Sequence, residues 1–399
     1  MCCVCVCVVY VCVVYVCVVY VCVGARACAW MCLYVCVFVQ NDIADLVSRA
    51  GNALAAGGHV YYLGEDSTGL LGFIDASEQP PTFGARFTDV RGFLHEGFGA
   101  FTNREGDLSH YGTEFRIALS DFERDVLPTL TAHDLVVAIV AGNRFGLDDR
   151  ESTTPPVVYA LCRRIASALT GAQLALLRVN VTAQETRTRG STRTLPPPFE
   201  VGIFVEIPLW DTSSALLSPA AFLQEISVKW VLNAVSTGAH VIKGEVYGNR
   251  MVNVTLSNSK LFARGIGIVA QVAGVSAPTA RRCLLRSIYR HRHRRRQRCA
   301  AADNDDWGDS HDWVDSHDWV DSDDCVDSDD WVDSDDCGRV PVSGHVTAAT
   351  PQARVVPLAI LLALSPELTV REAAERLATE PVVRRLIQRY RNVPRNGEG

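Results

Sequence analysis

Outside two low-complexity tracts, this 399-residue sequence is nearly without cysteine. Ten of the fifteen cysteines fall between Cys2 and Cys36, and two more, Cys325 and Cys337, lie in an aspartate-rich repeat. The remaining three, Cys162, Cys283 and Cys299, show neither metal-ligand spacing nor a disulfide framework. That fits a reducing compartment, the cytoplasm or alternatively the nucleus, and no metal or other cofactor is expected. Charge is absent from Cys2 to Ala25, a stretch long enough to span a bilayer. It also lacks a basic leader and a small-residue cleavage site, which makes it a poor signal peptide. Its Val-Cys-Tyr alternation suits a strand or an aggregate better than a helix. Residues 1–40 therefore read as a translated dinucleotide repeat in preference to a membrane anchor.

Strong charge of either sign is missing from the part that can fold. The net charge of −7 is produced by the sixteen aspartates between Asp303 and Asp336, within which DSHDWV and DSDDCV-type hexapeptides recur. Without them 38 basic side chains face 29 acidic ones, and nine of the arginines crowd into Arg281–Arg298. Elsewhere the charges nearly cancel, so no global field for nucleic acid or a membrane is expected. The run RHRHRRRQR can be read as a nuclear-localisation or nucleic-acid segment, or as a flexible tract neutralised by the neighbouring aspartates. The second reading is preferred. The repeats lack the loop glycine and closing glutamate of a calcium site, so 290–340 is expected to be a disordered insertion.

Apolar runs organise the rest. Asp42–Gly57 has helical spacing and a Gly-Gly stop. His59–Leu63, Asp134–Gly142, Gln173–Val181 and Val201–Leu209 read as strands, the second as one buried on both faces. Val157–Thr170 reads as a helix behind Pro155 and Pro156, and longer helices are expected from Pro219 to about Val235 and from Asn258 to about Val272. Two short helices are expected in 369–391. Alternating strands and helices give an α/β fold: a parallel sheet sandwiched by helices over 41–289, then a small helical cap over 341–399.

The most informative stretch is Gly64–Gly84, GEDSTGLLGFIDASEQPPTFG. A strand feeds a small-residue turn and then a helix, whose first N–H groups have no internal partner and carry the positive end of the helix dipole. Ser67 and Thr68 supply two hydroxyls, Gly64 and Gly69 permit close approach, and Glu78 follows one helix-length on, with Pro80 and Pro81 ending the helix. Glu65 and Asp66 put negative charge where a phosphate would sit. Plain N-capping by Ser67 or Thr68 is the competing reading.

The segment IDASEQPPTFG (Ile74–Gly84) resembles the signature of the N-acetylmuramic acid 6-phosphate etherases and of the glucokinase regulatory protein family, both built from sugar isomerase (SIS) domains. ARFTDVRGF (Ala85–Phe93), KWVLNAVSTGAHVIKGEVYGNRM (Lys229–Met251) and SNSKLFAR (Ser257–Arg264) resemble the second SIS domain of the regulatory protein, in order. CLLRSIY (Cys283–Tyr289) and VVPLAILLALSPELTVREAAERLATEPVV (Val355–Val383) are similar to its helical cap.

The resemblance implies a phosphosugar-binding regulator that takes fructose 6-phosphate or fructose 1-phosphate and modulates a glucokinase or hexokinase. In that family a Ser/Thr loop of the first SIS domain holds the phosphate. The second domain lends the residues that correspond to Glu78 and Lys260, although a solvated lysine near a helix start is the plain alternative for Lys260. A second SIS domain, supplied by dimerisation, is an expected partner, because nothing before residue 41 reads as one. The alternative is a lyase. In the etherases the glutamate at the position of Glu78 is the acid/base, but a second glutamate is needed and FTDVRGFLHEGF holds no such motif. The kinase-binding place corresponds to Pro208–Thr212, where beyond the strand-Pro-Leu segment only Trp210 is large and apolar.

Overall fold

The computed structural model describes residues 40–103, 105–141, 157–169, 171, 173–183, 195, 197–209, 219–290, 340–380 and 382–391. Residues 1–39 and 291–339, nearly all of the expected segments 1–40 and 290–340, lie outside them, as does Trp210. The chain divides into two compact units, one ending at Glu245 and the other beginning at Val246.

The first unit is built on five parallel strands: β1 (Val60–Gly64), β2 (Val90–Leu94), β3 (Leu135–Ala141), β4 (Gln173–Ala183) and β5 (Val201–Leu209). Their spatial order is β2-β1-β3-β4-β5. Each strand presents alternate residues to opposite faces. Val60 and Tyr62 of β1, with Leu135, Val137 and Ile139 of β3, join one buried cluster. Tyr61 and Leu63, with Val136, Ala138 and Val140, join another on the opposite face. Both faces are apolar, so both must be covered.

Helices α1 (Gln40–Ala55), α2 (Asp66–Ser77) and, after the five-residue α3 (Gln79–Phe83) and α4 (Val157–Ala168), the long α5 (Pro219–Lys243) complete the unit. Residues of α1, α2 and α5 pack into the first cluster, and α4 packs into the second together with Leu119, Phe122 and Val126. The fold is the expected α/β sandwich. One element is longer than expected: α5 runs to Lys243, past Ser236, Thr237 and Gly238. Gly238 lies inside the helix because α1 crosses there; a Cβ on it would stand 2.5 Å from Cγ1 of Val47.

The second unit opens with a two-strand ribbon, Val246–Tyr247 and Arg250–Met251. Helices α6 (Ser259–Ala273), α7 (Ala277–Ile288), α8 (Val342–Ala349), α9 (Val355–Leu364), α10 (Val370–Thr379) and α11 (Val383–Arg391) follow. All ten residues of α9 are buried, which makes it the central helix of this unit. Helices α6 and α7 share its core, so residues 246–288 fold with the cap, whereas the sequence reading carried the first domain on to 289. Among the described residues no single helix is long and apolar enough to cross a membrane.

Candidate functional site

The turn after β1 stands at the carboxyl edge of the sheet, where the chain leaves for β2 on one side and β3 occupies the other. In open α/β sheets that reversal point opens a crevice beyond the strand ends. Helix α2 starts there with Glu65 as its N-cap and no side-chain capping bond. Glu65 does not lie over its own helix. Its Oε1 accepts the Val158 N–H of α4 at 3.0 Å, so the acid caps a neighbouring helix. Asp66 holds φ of 50°, in the left-handed region, and is exposed.

Ser67 is exposed in the first turn of α2. Thr68 differs from expectation. Its side chain is buried, and its hydroxyl donates to the Glu65 carbonyl at 2.7 Å. The reason is steric and local: a first-turn threonine satisfies itself on the preceding carbonyl once the methyl is packed inward. Only its backbone N–H remains at the helix end. Gly64 and Gly69 are small for packing. A Cβ on Gly69 would sit 2.6 Å from the Gly64 carbonyl oxygen, and one on Gly64 would sit 2.6 Å from the Gly69 Cα.

At the other end of α2, Glu78 is the C-cap, and its N–H bonds to the Ile74 and Asp75 carbonyls. Helix α2 ends ahead of the two prolines, as expected. Pro80 and Pro81 lie within α3, where the first turn tolerates a missing N–H. Glu78 is exposed, and its Oε2 stands 2.8 Å from Lys229 Nζ of α5. The same ammonium lies 3.4 Å from Oδ1 of Asp75, which is fully buried. Ser236 donates to Asp75 Oδ1 at 3.4 Å, and Gln79 Nε2 donates to the Asp75 carbonyl at 2.6 Å. Burial raises the Asp75 carboxyl to about 6, against the pull of Lys229 and Ser236. Tyr62 lies fully buried beside it without a hydrogen bond of standard geometry, and burial and the Asp75 charge keep its phenol protonated.

Polar residues thus recur along one side of α5 at Lys229, Ser236, His240 and Lys243, a helical spacing of seven, four and three. His240 is buried and stacked on Phe83 of α3, centroids 4.2 Å apart and planes 12° apart. Burial first, then the Lys243 charge, pushes its ring down to about 3, so the ring is neutral. Lys243 bonds Asp89 at 2.8 Å, with Arg86 Nε at 2.9 Å from the same carboxylate. Burial pushes Asp89 up, but these two cations outweigh it and hold the carboxyl below its usual range. Among the described residues no cluster of histidine, cysteine and carboxylates could hold a metal.

The structure does not bring Ser67 and Glu78 together. They lie eleven residues apart on the α2–α3 run, about 16 Å at the helical rise, further than one hexose phosphate reaches. Lys260 belongs to the second unit. It is exposed in the first turn of α6, behind the N-cap Asn258, and has no ion-pair partner among the described residues. Asp75 and Lys229 were not singled out from the sequence. The available signal was a charged residue inside each of two apolar helical segments, IDAS and KWVLNAV.

Residues 38–243 match the family described as the second SIS domain of glucokinase regulatory protein. The chain belongs to the glucokinase regulatory protein family. Residues 248–304 and 329–387 match the C-terminal lid domain of the same protein. The glucokinase regulatory protein of Xenopus laevis is 28% identical over 360 residues, covering 90% of this chain and 49% of the relative. That of Homo sapiens is 32% identical over 251 residues, 62% of this chain and 37% of the relative. The N-acetylmuramic acid 6-phosphate etherase of Yersinia pestis (strain Pestoides F) is 35% identical over 249 residues, 62% of this chain and 72% of the relative. The chain spans about half or less of the length of these regulatory-protein relatives.

Proposed function

We propose that this chain is a phosphosugar-binding regulatory protein that takes fructose 6-phosphate or fructose 1-phosphate and modulates a sugar kinase of the glucokinase or hexokinase type. The observation that carries the reading is the division of labour along α2. Its N-terminal turn offers the Ser67 hydroxyl and the first-turn N–H groups, with the Glu65 carboxylate drawn off onto α4. Its far end offers Glu78. Since one ligand cannot reach both, each end serves a ligand shared with another SIS unit, either a companion domain or a second copy of this chain. Lys260, an exposed cation at a helix N-terminus where the dipole disfavours it, suits a phosphate ligand.

Eliminating the lactyl ether calls for a base at the α-carbon and an acid at the leaving oxygen. Near Glu78 the second carboxylate is Asp75, which is fully buried behind Lys229. That arrangement favours binding over turnover.

Two measurements test the reading. At a hundredfold excess over Kd, fructose 6-phosphate should raise the unfolding free energy of the full chain by about 2.7 kcal/mol, seen as a higher Tm. The chain should also change glucokinase activity in a manner that responds to fructose phosphate. Release of lactate from N-acetylmuramic acid 6-phosphate would instead establish the lyase.

A further inference from the structure

Lys229 is a cation set among apolar neighbours on α5, between Val228 and Trp230, and its side chain is only 17% exposed. A lysine so placed must be held by carboxylates. Two hold it, and they differ in kind. Asp75 is wholly inside, fixed from other directions by Ser236 Oγ and, at 3.5 Å to Oδ2, by Gln79 Nε2. Glu78 stands at the surface with its side chain 54% exposed, and among the described residues Lys229 is its only side-chain partner. The ammonium therefore connects a buried acid to an exposed one.

We infer that Lys229, anchored by Asp75, is the positioning residue for Glu78. It fixes Oε2 and leaves Oε1 to accept from a hydroxyl of the bound sugar. This rests on the proposed role of Glu78 as a sugar contact. A free glutamate at a helix C-terminus samples several rotamers, and the ligand would have to select one of them at an entropic cost. Holding the carboxylate by a charge-assisted bond removes that cost before the sugar arrives. The anchor matters as much as the lysine. Without Asp75 the ammonium would be free to follow Glu78 outward, and the pair would become an ordinary surface ion pair of little consequence.

The test is a double-mutant cycle on the full chain, with fructose 6-phosphate as the probe. Glu78→Gln is expected to weaken binding about tenfold, and Lys229→Met about fivefold, in line with loss of a bond to a charged group. Because Lys229 acts only through Glu78, the double variant should bind within about twofold of Glu78→Gln, well short of the product of the two losses. Lys229→Arg should recover most of the affinity. A double variant that shows the full product, or a Lys229→Met chain that binds as tightly as the parent while Glu78→Gln does not, would overturn the positioning role and leave the Glu78 reading standing. Parental affinity in Glu78→Gln would remove both. A crystal structure of Lys229→Met gives an answer independent of ligand: the Glu78 carboxylate is expected to leave its place, and its retention there would overturn the role.

Discussion

Two buried ionisable side chains on opposite sides of the α2–α5 seam respond to acid in opposite senses. Asp75, raised to about 6, holds its proton more tightly when folded than when unfolded. Its contribution to stability is full below the ordinary carboxylate range and is lost as pH rises through 6. His240, lowered to about 3, is the reverse: its contribution is full above the ordinary histidine range and is lost as pH falls from 6.5 towards 3. Between pH 7.5 and 5 the histidine costs about 2 kcal/mol and the aspartate returns somewhat less, so the parent should change little. His240→Leu keeps the apolar contact with Phe83 and deletes the titration. Urea unfolding at the two pH values should show this variant gaining stability on acidification; a parallel response in both chains would count against a neutral, buried His240. Neither Asp75 nor His240, nor the Lys229 that faces Asp75, stands out in the sequence. Asp75 and Lys229 are 154 positions apart in sequence, and only the fold shows that each answers the other's charge.

At the scale of elements, the sheet was readable because its strands are continuous apolar runs buried on both faces, a pattern that few other structures produce. Helix α5 is expected to end at about Val235 but continues through Ser236, which bonds Asp75, and Gly238, which admits α1. The two close-packed glycines make different demands. At Gly69 an added Cβ meets the Gly64 carbonyl, a rigid backbone atom, whereas at Gly238 it meets the end of the Val47 side chain. Gly69→Ala should therefore destabilise by about 2–3 kcal/mol, the upper end of overpacking. Gly238→Ala should cost about 1 kcal/mol, since Val47 can turn and alanine favours the helix. Denaturant midpoints of the two variants decide the order, and an equal loss would mean that α2 sits less tightly on β1 than described. The placement of α2 also explains why its two ends could not be merged into one site from sequence alone. Ser67 and Glu78 belong to one short motif, but the helix between them holds them apart.

For the whole molecule, family membership covers both units, the sheet through the second SIS domain and the helices through the lid. The division at Glu245 was not legible because the ribbon that opens the second unit is only two residues per strand. The central claim is that the first unit carries two separate contacts for a sugar phosphate, one at each end of α2. Calorimetric titration of fructose 6-phosphate into the full chain, with Ser67→Ala and Glu78→Gln alongside, tests it most directly. The account predicts saturable binding by the parent and an affinity lowered about tenfold in each variant. A folded parent chain that gives no binding heat, or variants that bind as the parent does, would contradict it.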